Sequence, residues 1–228
     1  MQPTLQELAE RIPRCTRCPE LREYCAHIAR KKRRAFKDWD YWGRPVPGFG
    51  DHKAPILLVG LAPAAHGGNR TGRIFTGDRS GDFLFAALHR AGLANQPTSD
   101  HRNDGLTLRR LYIAAALRCA PPGNRPTPRQ LENCSSYLLA EFQALRPRVT
   151  LCLGGIAWDR TLATLGNLRV EIPRPKPKFG HGREQSLGVT TMLGCYHVSQ
   201  QNTFTGRLTE AMIDDVLERA KELTGGAR

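Results

Sequence analysis

Residues 54–78, APILLVGLAPAAHGGNRTGRIFTGD, decide the architecture of this chain. Ala54 to Val59 is a run of small and branched apolar residues, the composition of a buried strand, and Phe83 to Leu93 has the apolar periodicity of a helix. Gly60 to Asp78 therefore sits where a strand hands over to a helix, and in α/β sheets the carboxyl end of a strand is where ligands bind. Gly60, Gly67, Gly68, Gly72 and Gly77 let backbone approach a ligand closely, a freedom that a packing loop does not need. A loop this long without structure of its own is the mark of a functional site, and its apolar content argues against disorder.

Working outward, Ile56 to Val59 is the first strand, and Leu111 to Leu117 (LYIAAAL), Val149 to Gly154 (VTLCLG) and Gly188 to Leu193 (GVTTML) read as three more. Helices alternate with them. One opens at Ser80 and stops near Gly92. A second follows Thr127-Pro128-Arg129-Gln130, a cap, a first-position proline and a glutamine three after the cap, and buries Leu131, Cys134, Leu138, Phe142 and Leu145. Two more cover Ile156 to Leu165 and Leu208 to Leu223. Thr4 to Glu7 is a capping box for a short helix carrying Leu5, Leu8 and Ile12. The stretch from RKKRR (30–34) through FKDWDYWGRPVPGFGD lacks periodicity, and the prolines and glycines between Val170 and Leu187 exclude regular structure. The expectation is an α/β fold: a central four-stranded, mostly parallel sheet flanked by helices on both faces. It forms one domain over 1–228, with an N-terminal arm (1–53) and a core (54–228).

The formal charge is +13, and 27 of the 34 basic residues are arginine, whose planar fork suits phosphate. That balance points to a polyanionic partner, nucleic acid first, and the basic run beside Trp39, Tyr41 and Trp42 can follow its backbone. No apolar run approaches the ~20 residues of a membrane span, and the first residues hold no signal-peptide core, so an intracellular, cytoplasmic protein is expected.

Seven cysteines without a secretion signal argue for metal or reduced thiols rather than disulfides. Cys15 and Cys18 form a C-x2-C pair, Cys119 ends the second strand and Cys134 lies on the following helix. Together they can complete a four-thiolate site, and spacing alone does not separate zinc from a [4Fe-4S] cluster.

GLAPAAHGGNRTGRIFTGD, CAPPGNRPTP and YHVSQQNTFTGRLT together resemble the family 5 (B-type) uracil-DNA glycosylases, in the iron-sulfur branch of that superfamily, over most of the chain from Cys15 to Leu208. The resemblance implies a [4Fe-4S] cluster on Cys15, Cys18, Cys119 and Cys134, holding the N-terminal arm. It implies a monofunctional enzyme that extrudes uracil and related deaminated bases such as hypoxanthine from double-stranded DNA and works as a monomer, with acceptance of single-stranded DNA left open. Phe75 matches the aromatic that stacks on the flipped base, and the backbone of Gly60, Leu61 and Ala62 supplies amide donors to it. His197 matches the histidine that stabilises the leaving base.

The chain departs from related families at three places. Ala64, Ala65 and His66 stand where an acidic or amide residue positions water. Ala115 stands where an asparagine reads the uracil edge, which relaxes base selection. Val198 stands where a proline stiffens the DNA-inserting loop. Asp78 is then the nearest carboxylate for water, although an aspartate at a helix start is also an N-cap, and Asn124 in PPGNRP is a second polar candidate. Ser199 and Asn202 are expected on phosphates, with Arg207 adding a contact, and Gln200 and Gln201 at the tip that fills the vacated base position. The alternatives are a non-catalytic iron-sulfur nucleic-acid-binding protein and a zinc-stabilised phosphate-binding domain.

Overall fold

The computed structural model describes residues 3–225. α1 (Leu5–Arg11) opens on the expected capping box: the Thr4 side chain accepts from the Glu7 amide while the Glu7 carboxylate accepts from the Thr4 amide. α2 (Pro19–Lys31) starts with proline at its first position and buries Leu21 and Cys25. This helix went unread, because charged residues crowd both sides of a narrow apolar stripe.

The sheet has six strands rather than four, in the order β1-β3-β2-β4-β6-β5. The four expected ones form its parallel centre: β2 (Ile56–Gly60), β3 (Leu111–Ala115), β4 (Val149–Leu153) and β6 (Thr190–Cys195). The two additions are antiparallel edges: β1 (Phe49–Gly50) on β3 and β5 (Glu184–Leu187) on β6. Two residues in a Pro/Gly-rich stretch and a half-exposed EQSL leave no periodicity to detect, so both edges exist only through their partners.

Every residue of β2, β3 and β4 is buried, as expected for a sheet covered on both faces. Alternation divides them between two cores. Leu57, Val59, Tyr112, Ala114 and Cys152 pack under α1, α2, α5 (Pro128–Leu145) and α6 (Gly155–Asn167), whereas Ile56, Leu58, Ile113 and Leu151 face α4 (Arg79–Arg90) and α8 (Glu210–Leu223). The capping box of α5 forms as expected on Thr127 and Gln130. Two short helices, α3 (Gly68–Thr71) and α7 (Gln200–Phe204), sit inside the first and last motifs. Among the described residues, no helix is long and apolar enough to cross a membrane.

Candidate active site and cysteine cradle

The glycine loop leaves β2 and turns back on itself through α3. Its two buried arginines fix that turn. Arg73 donates through Nε to Thr76 Oγ1 at 2.9 Å, through Nη2 to Ser99 Oγ at 2.9 Å, and through both terminal nitrogens to Asp104 at 2.9 and 2.6 Å. This ties the loop to the polar connection 94–107. Burial alone would raise the Asp104 carboxyl, but Arg73 and the amides of Leu106 and Asp100 hold it down at about 2. Arg70 donates to the carbonyls of His66 (2.8 Å) and Gly77 (2.6 Å), and its guanidinium lies between Phe36 and Trp39, 3.9 and 4.0 Å from the ring centres. The amides of Trp42 and Gly43 donate to the Arg70 and Asn69 carbonyls. The N-terminal arm is thus strapped across the loop it precedes.

A cleft of about 1020 Å³ opens at this end of the sheet. Ala64 to Gly67, Asp78, Asn124, Ser199 and Gln200 line it, so all three recognisable motifs converge there. The arm contributes Tyr24, Arg33, Phe36 and Trp39 to the wall. Sequence reasoning placed no arm aromatic in the site; their interleaving with the basic run was the available signal.

Asp78 caps α4, its Oδ1 accepting from the Gly81 amide at 3.0 Å. Its Oδ2 lies where a Cβ on Gly67 would be, 1.9 Å from it, so glycine at 67 is what lets the carboxylate reach the loop. Burial raises the Asp78 carboxyl, offset in part by the Gly81 and Ser80 amides. Capping is therefore established for Asp78, and it engages only one oxygen. Asn124 is exposed at the cleft edge with a φ of 56°, a left-handed conformation that asparagine tolerates.

Phe75 and His197 adjoin each other at the ends of β2 and β6, with ring centres 6.1 Å apart. A Cβ on Gly60 would stand 2.7 Å from the Phe75 ring, so this glycine is needed for the ring to lie against the strand end. Burial pulls His197 down to about 4, which keeps it neutral at physiological pH. Asn202, expected on phosphate, instead donates to the His197 carbonyl at 2.8 Å and fixes the turn that carries the histidine. Leu61 accepts the Leu117 amide through its carbonyl, and Ala62 packs against the core. Ser199 precedes α7 as its N-cap residue, and Arg207 lies exposed with its guanidinium 4.7 Å from the Tyr196 ring centre.

The second feature is a cavity on the other side of the β3 carboxyl end. Cys15, Cys18, Cys119 and Cys134 line it together, from α1's trailing turn, the start of α2, the loop after β3 and the first half of α5. Among the described residues no group of three His, Cys, Asp or Glu could hold a metal ion directly. Arg22 and Arg118 also line the cavity, and Arg22 Nη1, Arg118 Nε and Arg118 Nη1 are buried with no hydrogen-bond partner. Unpaired buried N–H groups are costly. Around four thiolates they suit an anionic occupant. Cys152 and Cys195 are buried in the sheet away from the cradle, whereas Cys25 is buried against Cys119, its thiol donating to the Ala120 carbonyl at 3.6 Å.

The family model for the uracil DNA glycosylase superfamily matches residues 47–221. The chain is 53% identical over 222 residues to a type-5 uracil-DNA glycosylase of Mycobacterium bovis, covering 96% of this chain and 81% of that protein. It is 52% identical over 226 residues to the type-5 uracil-DNA glycosylase of Mycobacterium leprae, covering 97% and 96% of the two chains. Against that of Thermus thermophilus the identity is 46% over 222 residues, covering 96% and 98%. With that match over most of its length and these identities, the chain belongs to the uracil DNA glycosylase superfamily, alongside its type-5 members.

Proposed function

We propose that the protein excises uracil and related deaminated bases, hypoxanthine among them, from double-stranded DNA by hydrolysing the N-glycosidic bond, with Asp78, Asn124 and His197 as the catalytic groups. The convergence of Asp78, Asn124 and Ser199 on one cleft carries this reading; the Phe75–His197 ring pair, which does not line that cleft, is its base-binding part. A base rotated out of the stack lies on the Phe75 ring. As the C1′–N bond breaks, the electron pair leaves with the base and positive charge develops on the sugar. Neutral His197 donates a hydrogen bond to the departing base, where a charged imidazolium would also need desolvation. Asp78 offers the oxygen not engaged by its cap to the sugar cation or to the attacking water. That water delivers hydroxide to C1′ and its proton ends on the base. Burial makes the Asp78 carboxylate a stronger base than a solvated one. Asn124 orients the water from the opposite lip. With Ala115 in place of a side chain that pairs with uracil, selection among deaminated bases is relaxed.

Cys15, Cys18, Cys119 and Cys134 hold a [4Fe-4S] cluster in this reading, which the unpaired Arg22 and Arg118 N–H groups support. The group supplies a structural clamp between the N-terminal helices and the β3 loop, and takes no part in bond cleavage. Duplex DNA lies across the cleft on Ser199, Gln200, Arg207 and the basic arm, bound by one copy of the chain. Its affinity falls steeply with salt, with a log-log slope of about −0.9 per phosphate neutralised.

The test is incubation with end-labelled duplexes carrying a single uracil, hypoxanthine or ethenocytosine, followed by alkali. Strand cleavage at uracil is expected, with hypoxanthine next. Absence of cleavage at every lesion, with duplex binding retained, would overturn the assignment.

A further inference from the structure

Arg118 is among the largest fully buried side chains of the protein, at 1% exposure, and only one of its three side-chain nitrogens has a partner. Nη2 is ion-paired with Glu141, itself fully buried toward the C-terminal end of α5. Nε and Nη1 make no hydrogen bond, and the residue lines the cysteine cavity. Arg22, from α2 on the facing wall, likewise leaves Nη1 buried and unpaired. One of the sulfurs already receives a donor, Asn133 Nδ2 to Cys18 Sγ at 3.5 Å.

Folding does not strand three guanidinium N–H groups around one cavity without compensation, because each carries a desolvation cost and an arginine stays charged. A Glu141 carboxylate on the buried face of α5 is equally unfavourable unless it holds something in place. The pair makes sense as an anchored cation presented to a polyanion.

We propose that Arg118 and Arg22 are hydrogen-bond donors to the sulfurs of the group bound by Cys15, Cys18, Cys119 and Cys134, and that Glu141 fixes the Arg118 guanidinium in that orientation. This rests on the cluster assignment above. Hydrogen bonds and positive charge at the sulfurs stabilise the more negative, reduced state, so these residues set the reduction potential.

The experiment uses the full chain with its cluster. The variants are Arg22→Met, at a half-buried position, and Arg118→Met/Glu141→Met, which replaces the buried pair by apolar side chains of similar volume and so strands no charge. Midpoint potential is read by voltammetry, the electrode supplying the single electron, and the Fe–S(Cys) stretching bands by resonance Raman. At a fixed potential each variant should hold the reduced form about tenfold less than wild type, ~59 mV for one electron, and its stretching bands should rise as hydrogen bonds to the thiolates are lost. Wild-type potential and bands in both variants would make the arginines structural only and overturn this inference. A wild-type protein without iron would overturn the cluster assignment itself. If the double variant does not fold, Arg22→Met decides the matter alone.

Discussion

Arg73 in the glycine loop and Arg118 in the cysteine cradle are both buried beside a carboxylate near the carboxyl end of a neighbouring strand, yet they are solved differently. Arg73 places every side-chain nitrogen on an acceptor, so its network with Thr76, Ser99 and Asp104 is closed. Arg118 spends one nitrogen on Glu141 and leaves two without a partner. A closed network is a clamp that rigidifies backbone, whereas an open one marks a place for a ligand. The glycine loop is held in shape by its own side chains, whereas the cradle leaves donors free for the cluster proposed there.

The sharpest way to break this contrast is to disable the cradle. Cys119→Ala is expected to abolish absorbance near ~400 nm and, because metal binding is folding energy at such sites, to lower Tm by more than ~20 °C. Full absorbance in that variant would mean the cradle does not need Cys119, and the open network would then lack its explanation.

The next effect is in the clamp. Asp104→Asn leaves the Arg73 guanidinium without its counter-charge, and removing one partner of a buried pair costs about 3–5 kcal/mol, read as a drop in denaturation midpoint with the ~400 nm band intact. The pH dependence follows from the same group. Its folded pKa is depressed to about 2 from 3.8, so its contribution is fully present above about pH 4 and is lost as pH falls through about 2. The variant should lack that acid limb; an unchanged limb would place the clamp's energy elsewhere.

The chemistry should respond more than the binding. Asp78→Asn and His197→Ala are expected to slow single-turnover release of uracil by roughly 10- to 1000-fold while affinity for an abasic duplex stays near wild type. An Asp78→Asn variant that melts early but turns over at the normal rate would reduce Asp78 to its cap. The smallest effect concerns His197 and pH. Its folded pKa is depressed to about 4 from 6.5, so it contributes stability above pH 6.5 that fades as pH falls through about 4. His197→Ala should show a flatter melting profile between those values than wild type does.

Much of this was legible in the chain. The central strands were visible because a sheet covered on both faces leaves continuous apolar runs, and the helix carrying Cys134 because its capping box, first-position proline and apolar spacing agree. The cleft was legible in its residues more than in its walls. Asp78, Asn124 and His197 stand in motifs long enough to recognise, but no local pattern says that Phe36 and Trp39 fold back around Arg70.

The sequence by itself determined the class of fold, the parallel core and the helix caps, since burial periodicity and caps act over a few residues. Only the tertiary structure decided the two antiparallel edges, the strap of arm over loop, the turn that Asn202 holds beneath His197, and the contrast between Arg73 and Arg118. Each depends on partners far apart in the chain: Arg73 with Asp104, Arg118 with Glu141, Trp42 with Arg70. Whether a buried N–H finds an acceptor is a property of three-dimensional packing, and a one-dimensional pattern carries no record of it.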